Sequence, residues 1–293
     1  MSILVIGATG TLGSLVVQRL AEAGAPVQAF VRTPGKKAFP AGVAEVVGDL
    51  ADVASLRAAL PSVRTLFLLN AVTPDEVTQA LVALNLAREA GIERIVYLSV
   101  IHADRYVNVP HFTGKHTVER MIERLDIPAT ILRPAYFMQN ELSIVPVIRD
   151  HGVYPMPIGS AGVAMVDTRD IADVAVAELL RRDRAASALP RLTLDVVGPQ
   201  PLTATDAATA WSTALGRQVA VGGNDLAAFE QQLAAFSPAW LAYDMRLMMG
   251  GIQEIGMHGE AGAADRLRQL LGRPLRTYAE FVAEVVADGS RRA

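Results

Sequence analysis

Three glycines stand at intervals of three residues near the start of the chain, at Gly7, Gly10 and Gly13. They follow an apolar run at residues 3–6 and precede a helical pattern. Glycine permits a tight turn and a close backbone approach to a pyrophosphate, and the first turn of a helix offers unpaired N–H groups. The spacing predicts a dinucleotide-binding turn, with a ligand-free glycine turn as the alternative. The residues between these glycines are expected to line the same site: Thr9, Thr11 and Leu12.

Basic residues follow the second apolar run, at residues 27–31. Arg32 stands where a site for NAD usually has an acid, about 20 residues after the glycines, that binds the ribose 2′-hydroxyl. Lys36 and Lys37 lie close behind it. A guanidinium at this point suits a 2′-phosphate, so the sequence favours NADP(H) over NAD(H), with Arg32 and Lys36 as phosphate ligands. The alternative is that these are solvated loop charges.

Polar residues also end the third and fourth apolar runs. Asp49, followed by Leu50, could accept a hydrogen bond from an adenine amino group. As an alternative it caps the next helix, for which Asp52 is the better candidate. Asn70 and Ala71 close the fourth run. Because ligands of open α/β sheets bind at the carboxyl ends of the strands, we expect both pairs at the cofactor.

A lysine stands on the apolar stripe of a predicted helix. The stripe repeats every three or four residues and consists of Lys115, Val118, Ile122 and Leu125. A buried ammonium group needs a partner, and no acid stands on this face one turn earlier. The hydroxyls of a nicotinamide ribose would satisfy it, which predicts Lys115 as a cofactor ligand. The alternative is an ion pair with Glu119 on the same helix, which would contribute roughly a few tenths of a kcal/mol.

The elements that would position these residues alternate between strand and helix. Six apolar runs lack polar alternation, which is typical of strands buried on both faces of a parallel sheet. The runs are 3–6, 27–31, 44–47, 65–69, 94–98 and 129–132. Helical stripes lie between them, at residues 12–23, 77–87 and 112–125. The sequence therefore predicts an α/β fold with a doubly wound, Rossmann-type parallel sheet.

The regular alternation of strand and helix patterns becomes less clear after Pro134, where a smaller lobe is expected. Residues 1–135, completed by 164–200, are predicted to form the dinucleotide-binding domain. Residues 136–163 and 201–288 are predicted to form a smaller, mainly helical substrate lobe. The expected elements in this part are strands at 163–166 and 192–197 and helices at 168–180 and 203–215. A methionine-rich stretch at 245–257 could line a pocket for a flat apolar or aromatic substrate, or pack in the lobe core or a dimer interface.

Composition excludes several classes of function. The chain has 27 Lys and Arg against 30 Asp and Glu, a net charge of −3, which argues against direct binding of nucleic acid or anionic lipid. It has no cysteine, which excludes disulfides, thiolate metal sites and cysteine nucleophiles. Its five histidines form no metal motif, so no metal is expected. With no apolar run near 18 residues and no targeting signal, a cytoplasmic protein is expected.

Together these segments resemble the NmrA-like family of atypical short-chain dehydrogenases. The resemblance is carried by Gly7–Gly13, Arg32, 48–50, 94–99, 111–115 and 133–140. The family includes quinone-oxidoreductase-like and azo- or dye-reductase-like members. The resemblance implies NADPH-dependent transfer of hydride to a quinone or similar conjugated apolar carbonyl compound. It also implies that Tyr136 and Phe137 back the nicotinamide, although this segment could simply begin a hydrophobic helix.

The chain departs from the short-chain dehydrogenase pattern at one catalytic position. These enzymes use Ser, Tyr and Lys, and His111 stands where the tyrosine is expected, four residues before Lys115, while Ser99 keeps its place. The resemblance thus implies that Ser99, His111 and Lys115 surround the nicotinamide. His111 could donate a proton near neutral pH, or water could supply it, or His111 could be a helix cap or a polar surface residue. A non-catalytic NADP(H)-sensing regulator, acting through a protein partner, is the alternative function.

Overall fold

The computed structural model describes residues 1–292 and divides the chain into two compact units. The first unit comprises Met1–Val100, Gly114–Arg133 and Ile171–Leu194. The second unit comprises Ile101–Thr113, Pro134–Asp170 and the chain from Asp195 onward. The lobe boundaries read from the sequence, with a break after residue 135, stay a prediction.

Nine strands and eleven α-helices are formed by residues 1–292. The strands are β1 (Ser2–Val5), β2 (Val27–Val31), β3 (Ala44–Val47), β4 (Val63–Leu68), β5 (Ile95–Leu98), β6 (Ala129–Pro134), β7 (Val153–Tyr154), β8 (Leu192–Val196) and β9 (Ala220–Val221). The helices are α1 (Thr11–Glu22), α2 (Val53–Ala59), α3 (Glu76–Glu89), α4 (Pro110–Arg124), α5 (Val145–His151), α6 (Thr168–Arg184), α7 (Ala204–Leu215), α8 (Leu226–Ala234), α9 (Ala239–Ile255), α10 (Ala263–Leu271) and α11 (Tyr278–Arg292). A 3₁₀ helix covers Met138–Ile144.

The larger sheet has seven strands in the order β3-β2-β1-β4-β5-β6-β8. Each pair from β3 to β6 is parallel. The chain order reverses between β1 and β4, which is where doubly wound sheets bind their ligands. Val5 lies opposite both Ala29 of β2 and Phe67 of β4, so the loops that follow these three strands leave from one edge. The predicted doubly wound α/β fold is confirmed.

The apolar runs form strands because their side chains fill the core of the first unit. All residues of β1 and β5 are buried. Leu4, Ile95 and Tyr97 of these strands pack in one cluster with side chains of α2, α3 and α4. The expectation of burial on both faces is wrong for β3, where Val47 is 56% exposed. It is also wrong for β8, which is mostly half-buried. Both strands stand at the ends of the sheet order, where only one neighbouring strand covers them.

Helix boundaries follow the local signals of the sequence. Gly24, with a φ of 71°, follows the end of α1, and Gly91, with a φ of 72°, follows the end of α3. Thr203 caps α7 in a reciprocal arrangement with Asp206, as the predicted helix start requires. The strand expected at 163–166 is absent from the described part of the chain, because Val163 and Val166 make only isolated bridges.

The second unit is mainly helical. Its one sheet among the described residues pairs the short strands β7 and β9 in parallel. A buried hydrogen bond of 2.8 Å from Trp211 Nε1 of α7 to the Tyr278 hydroxyl of α11 joins two of its helices. No helix within residues 1–292 combines the length and the apolar character that a membrane crossing requires.

Candidate functional site

The glycine turn after β1 leaves no room for side chains at two of its positions. Gly7 has a φ of 81°, and a Cβ there would lie 2.6 Å from the carbonyl oxygen of Leu69. A Cβ on Gly13 would lie 2.1 Å from the carbonyl oxygen of Gly7. Backbone groups block both positions, so only glycine lets α1 start this close to β1 and β4. The Gly10 N–H closes the turn by donating to the Gly7 carbonyl oxygen at 3.1 Å.

The turn presents its backbone to solvent at the start of α1. Thr9, Gly10 and Thr11 are exposed, whereas Leu12 and Gly13 are buried and anchor the helix. Gly10 is the N-cap residue and brings no side chain to accept from the first N–H groups of α1. These unpaired donors and the positive end of the helix dipole together suit an anion such as a pyrophosphate.

Arg32 and Lys36 lie on the surface after β2. Both are exposed, and neither has a side-chain hydrogen bond or an ion pair with another residue of the described range. The loop between them is held by Glu45 of β3, whose carboxylate accepts from the Gly35 N–H at 3.0 Å. The Glu45 carboxylate therefore binds loop backbone rather than either cation.

The carboxylate after β3 also binds its own loop. Asp49 Oδ1 accepts from the Ala51 N–H at 2.9 Å, and Leu50 between them is half-buried. Asp52 caps α2 by accepting from the Ala54 N–H at 3.0 Å. The cap alternative for Asp49 is therefore wrong, and Asp52 fills that role.

Asn70 carries a polar group that the protein leaves unsatisfied. The residue is 3% exposed, and neither atom of its side-chain amide has a hydrogen-bond partner within residues 1–292. It follows Leu69, whose carbonyl oxygen abuts Gly7 of the glycine turn, while Ala71 after it is exposed. A buried amide without partners costs about 1–3 kcal/mol, so its position beside the turn is suited to polar groups of a ligand.

Lys115 has a protein partner that comes from another helix. Its Nζ lies 2.6 Å from Oε1 of Glu76 in the first turn of α3, and the two side chains are 8% and 7% exposed. The acid lies 39 positions away in sequence, so the absence of an acid one turn earlier on the same helix could not reveal it. The alternative ion pair of Lys115 with Glu119 is wrong, since Glu119 binds Ser99 and Arg133.

Glu119 and Ser99 belong to a second buried polar cluster of the first unit. The Ser99 hydroxyl donates to Glu119 Oε1 at 2.5 Å, and Arg133 donates to the same carboxylate through Nε at 3.0 Å and Nη2 at 2.6 Å. Burial raises the pKa of the Tyr97 phenol well above its usual range, and the charges of Glu76 and Glu119 raise it further. Tyr97 therefore stays protonated, and the hydroxyl proton of Ser99 is engaged in its hydrogen bond to the Glu119 carboxylate.

Three of the expected site residues lie in the second unit. His111 is largely buried, and its Nδ1 makes a short hydrogen bond with Oδ2 of Asp244, so a polar surface role for His111 is wrong. Tyr136 is buried with its backbone N–H 3.1 Å from the sulfur of Met257, and burial raises the pKa of its phenol. Phe137 is half-buried and occupies the N-cap position of the 3₁₀ helix, without a side-chain capping hydrogen bond.

Comparison with known proteins identifies the family. The NmrA-like family matches residues 1–281. The chain belongs to the NmrA-like family. It is 34% identical over 294 residues to the NAD(P)H azoreductase of Xenophilus azovorans, covering 98% of this chain and 99% of the relative.

Solved structures of two reductases have the same fold as this chain. The NADPH-dependent quinone oxidoreductase of Escherichia coli, crystallised with NADPH, superposes with a TM-score of 0.84 and 26% identity, over 97% of this chain and 99% of that one. The triphenylmethane reductase of Citrobacter sp., crystallised with NADP(H), gives a TM-score of 0.81 and 25% identity, over 97% and 100% of the chains. The chain is thus a reductase of the atypical short-chain dehydrogenase class, and the non-catalytic regulator is not favoured.

Proposed function

We propose that the protein is an NADPH-dependent reductase that transfers hydride to a quinone or a similar conjugated, apolar carbonyl compound. The observation that carries the proposal is the glycine turn of β1 and α1 beside the unsatisfied amide of Asn70. Close backbone approach, unpaired helix N–H groups and a buried amide without a partner all meet the needs of a dinucleotide. The names of relatives that match nearly the whole chain support the same class of reaction.

The preference for NADP(H) is supported by charge at the end of β2. Arg32 and Lys36 are exposed and unpaired in the described chain, and no acid takes the position that binds a 2′-hydroxyl in NAD sites. A guanidinium–phosphate contact contributes about 1.5–3 kcal/mol. Asp49, in the loop after β3, would contact the adenine, and the turn from Thr9 to Gly13 would contact the pyrophosphate.

Lys115, Ser99 and their partners would prepare the nicotinamide end of the site. The cofactor supplies the hydride when it is bound. Glu76 fixes the ammonium of Lys115, which would donate to ribose hydroxyls, and Glu119 fixes the Ser99 hydroxyl. Tyr136 and Phe137 would back the nicotinamide ring. We expect these residues to hold and orient the cofactor. Tyr136 is not suited to act as an acid, because its phenol is buried and burial raises its pKa.

Two measurements test the proposal. Calorimetry on the purified protein is expected to give a lower Kd for NADPH than for NADH, by about ten- to a hundredfold. Oxidation of NADPH is also assayed with each of a panel of quinones as the acceptor, and we expect it to proceed with at least one of them. Equal affinities for the two cofactors would overturn the NADP(H) preference, and failure with every quinone would overturn the substrate class.

A further inference from the structure

His111 is oriented by a carboxylate that comes from α9, 133 positions later in the chain. Its Nδ1 is hydrogen-bonded to Oδ2 of Asp244, and its backbone N–H points at Oδ1 of the same carboxylate at 3.4 Å. The Asp244 side chain is 1% exposed and the His111 side chain 10%. Because a carboxylate only accepts hydrogen bonds, Nδ1 carries the proton of this contact, and Nε2 is the ring atom left for chemistry.

The segment that carries His111 also packs against α9, the helix that carries Asp244. The Tyr106 hydroxyl donates to the Gly256 carbonyl oxygen at 2.6 Å, and the ring of Phe112 stacks on that of Tyr106 with 4.9 Å between centroids. The Tyr106 ring fills the space at Gly251, where a Cβ would lie 2.5 Å from it. Gly251 is two helical turns after Asp244, so both face the same segment. The ring of His111 is therefore held in place before any ligand binds.

We propose that Asp244 is a positioning residue that holds His111 so that Nε2 donates the proton needed by neutral carbonyl substrates. The inference rests on the proposed reductase function and deepens it. His111 stands in α4 four residues before Lys115, at the position where short-chain dehydrogenases have their proton donor. A proton on Nε2 of a ring held in this way would supply the acid that a tyrosine provides at this position in those enzymes.

The proposed step divides substrates into two chemical classes. With a quinone, the dihydronicotinamide is oxidised as its hydride bonds to one carbonyl oxygen. Both carbonyl π bonds then rearrange into the aromatic ring, and the Nε2 proton goes to the second oxygen, giving the hydroquinone. Neutral His111 then recovers a proton from solvent. A triarylmethane cation instead takes the hydride on its central carbon, where a C–H bond forms and the positive charge disappears. No proton is needed, so His111 has no part in the second reaction.

The test compares menadione, a neutral quinone, with crystal violet, a triarylmethane cation. His111→Gln keeps an N–H donor for Asp244 but removes the acid, so kcat for menadione is expected to fall about 10²–10⁴-fold. The rate with crystal violet is expected to stay near that of the wild type. Asp244→Asn is expected to reproduce this split. The matched control is Glu230→Gln of α8, which removes a carboxylate that lies 2.9 Å from Arg246 of α9, the helix that carries Asp244. It should change neither rate.

Equal losses with both acceptors in His111→Gln would overturn the proton-donor role. If the wild type does not reduce the dye, the solvent deuterium isotope effect on menadione reduction decides: its size is expected to change in His111→Gln, where water replaces Nε2 as the proton donor. An isotope effect and a kcat that are the same in both proteins would contradict the proposal. If the wild type reduces neither acceptor, the proposed function itself fails, and the donor role fails with it.

The orientation of the ring has a readout that does not depend on turnover. The measurement is NMR of cofactor-free protein labelled with ¹⁵N-histidine, in which the signal missing from His111→Gln identifies His111. In the wild type this signal is expected to show a proton on Nδ1 that exchanges slowly with solvent. Asp244→Asn should lose that slow exchange, and Glu230→Gln should keep it. An Nδ1 without a proton in the wild type would overturn the positioning role of Asp244 even if the enzyme is active.

Discussion

Lys115 of α4 and Glu76 of α3 form a buried ion pair, with 2.6 Å between Nζ and Oε1. The pair explains how an ammonium group can lie on the apolar stripe of a helix, since an isolated buried charge would be very costly. It also fixes the direction of the lysine side chain. Two of the three Nζ protons stay available for other acceptors, such as ribose hydroxyls.

Lys115→Met tests the pair and the cofactor contact separately. The substitution leaves the Glu76 carboxylate buried without a partner, so we expect the free energy of unfolding to fall by about 3–5 kcal/mol. The double variant Glu76→Gln, Lys115→Met should recover much of that loss, because no charge remains buried. Affinity for NADPH, measured by calorimetry, should be weaker than that of the wild type in Lys115→Met and should stay weaker in the double variant. Normal NADPH affinity there would show that Lys115 does not contact the cofactor.

The elements of the fold could be predicted from local patterns. The runs at 27–31 and 44–47 coincide with β2 and β3, and Gly24 stops α1 as expected. The exposure of β3 could not be predicted, because an edge strand and a central strand can have the same apolar composition. Neither could the loss of the strand expected at 163–166, whose residues bridge to three different segments instead of one.

The candidate site could be predicted only as single residues and not as pairs. Lys115 stood out because a charge on an apolar stripe is unusual, but its partner Glu76 follows no periodicity that links it to α4. Asp244 lies in an apolar helix that the sequence marked only for its methionines. Contacts between residues 39 and 133 positions apart depend on how the elements pack, and one sequence carries no direct signal of that packing.

Gly13→Ala should weaken both the fold and the cofactor site. The new Cβ would lie 2.1 Å from the Gly7 carbonyl oxygen and 2.7 Å from its carbonyl carbon, so α1 must move away from β1. We expect a loss of about 1–3 kcal/mol in the free energy of unfolding, measured with urea. Gly10→Ala is the control, because its φ is −75° and its nearest atom would be 3.4 Å away. Equal losses in the two variants would contradict the close approach at Gly13.

Arg32→Ala should remove most of the preference for NADPH. Loss of one guanidinium–phosphate contact is expected to raise the Kd for NADPH about ten- to a hundredfold and leave the Kd for NADH unchanged. Arg88→Ala is the matched control, since Arg88 is exposed in the last turn of α3 and its removal changes the net charge equally. Parallel changes for both cofactors in Arg32→Ala would contradict a 2′-phosphate contact.

A buried acid of the second unit gives the stability a dependence on pH. Glu141 is fully buried and accepts hydrogen bonds from the hydroxyls of Tyr154 and Tyr278. Burial raises the pKa of its carboxyl from 4.5 to about 7, against the lowering effect of these donors. Between these two values the folded chain holds a proton that the unfolded chain releases. The free energy of unfolding of the protein must therefore fall as the pH rises through this window.

Glu141→Gln should remove this pH dependence, because the amide resembles the protonated acid and has no charge to bury. Relative to the wild type, the variant is expected to gain stability by about 3 kcal/mol between pH 4.5 and pH 7, measured by urea unfolding at each pH. Glu280→Gln is the control of opposite sign, since hydrogen bonds from the Thr277 backbone lower the pKa of Glu280. Its stability relative to the wild type should instead fall as the pH rises through the acid range. Profiles of wild type and Glu141→Gln that run parallel from pH 4.5 to pH 7 would mean that the Glu141 carboxyl ionises alike in the folded and unfolded chain.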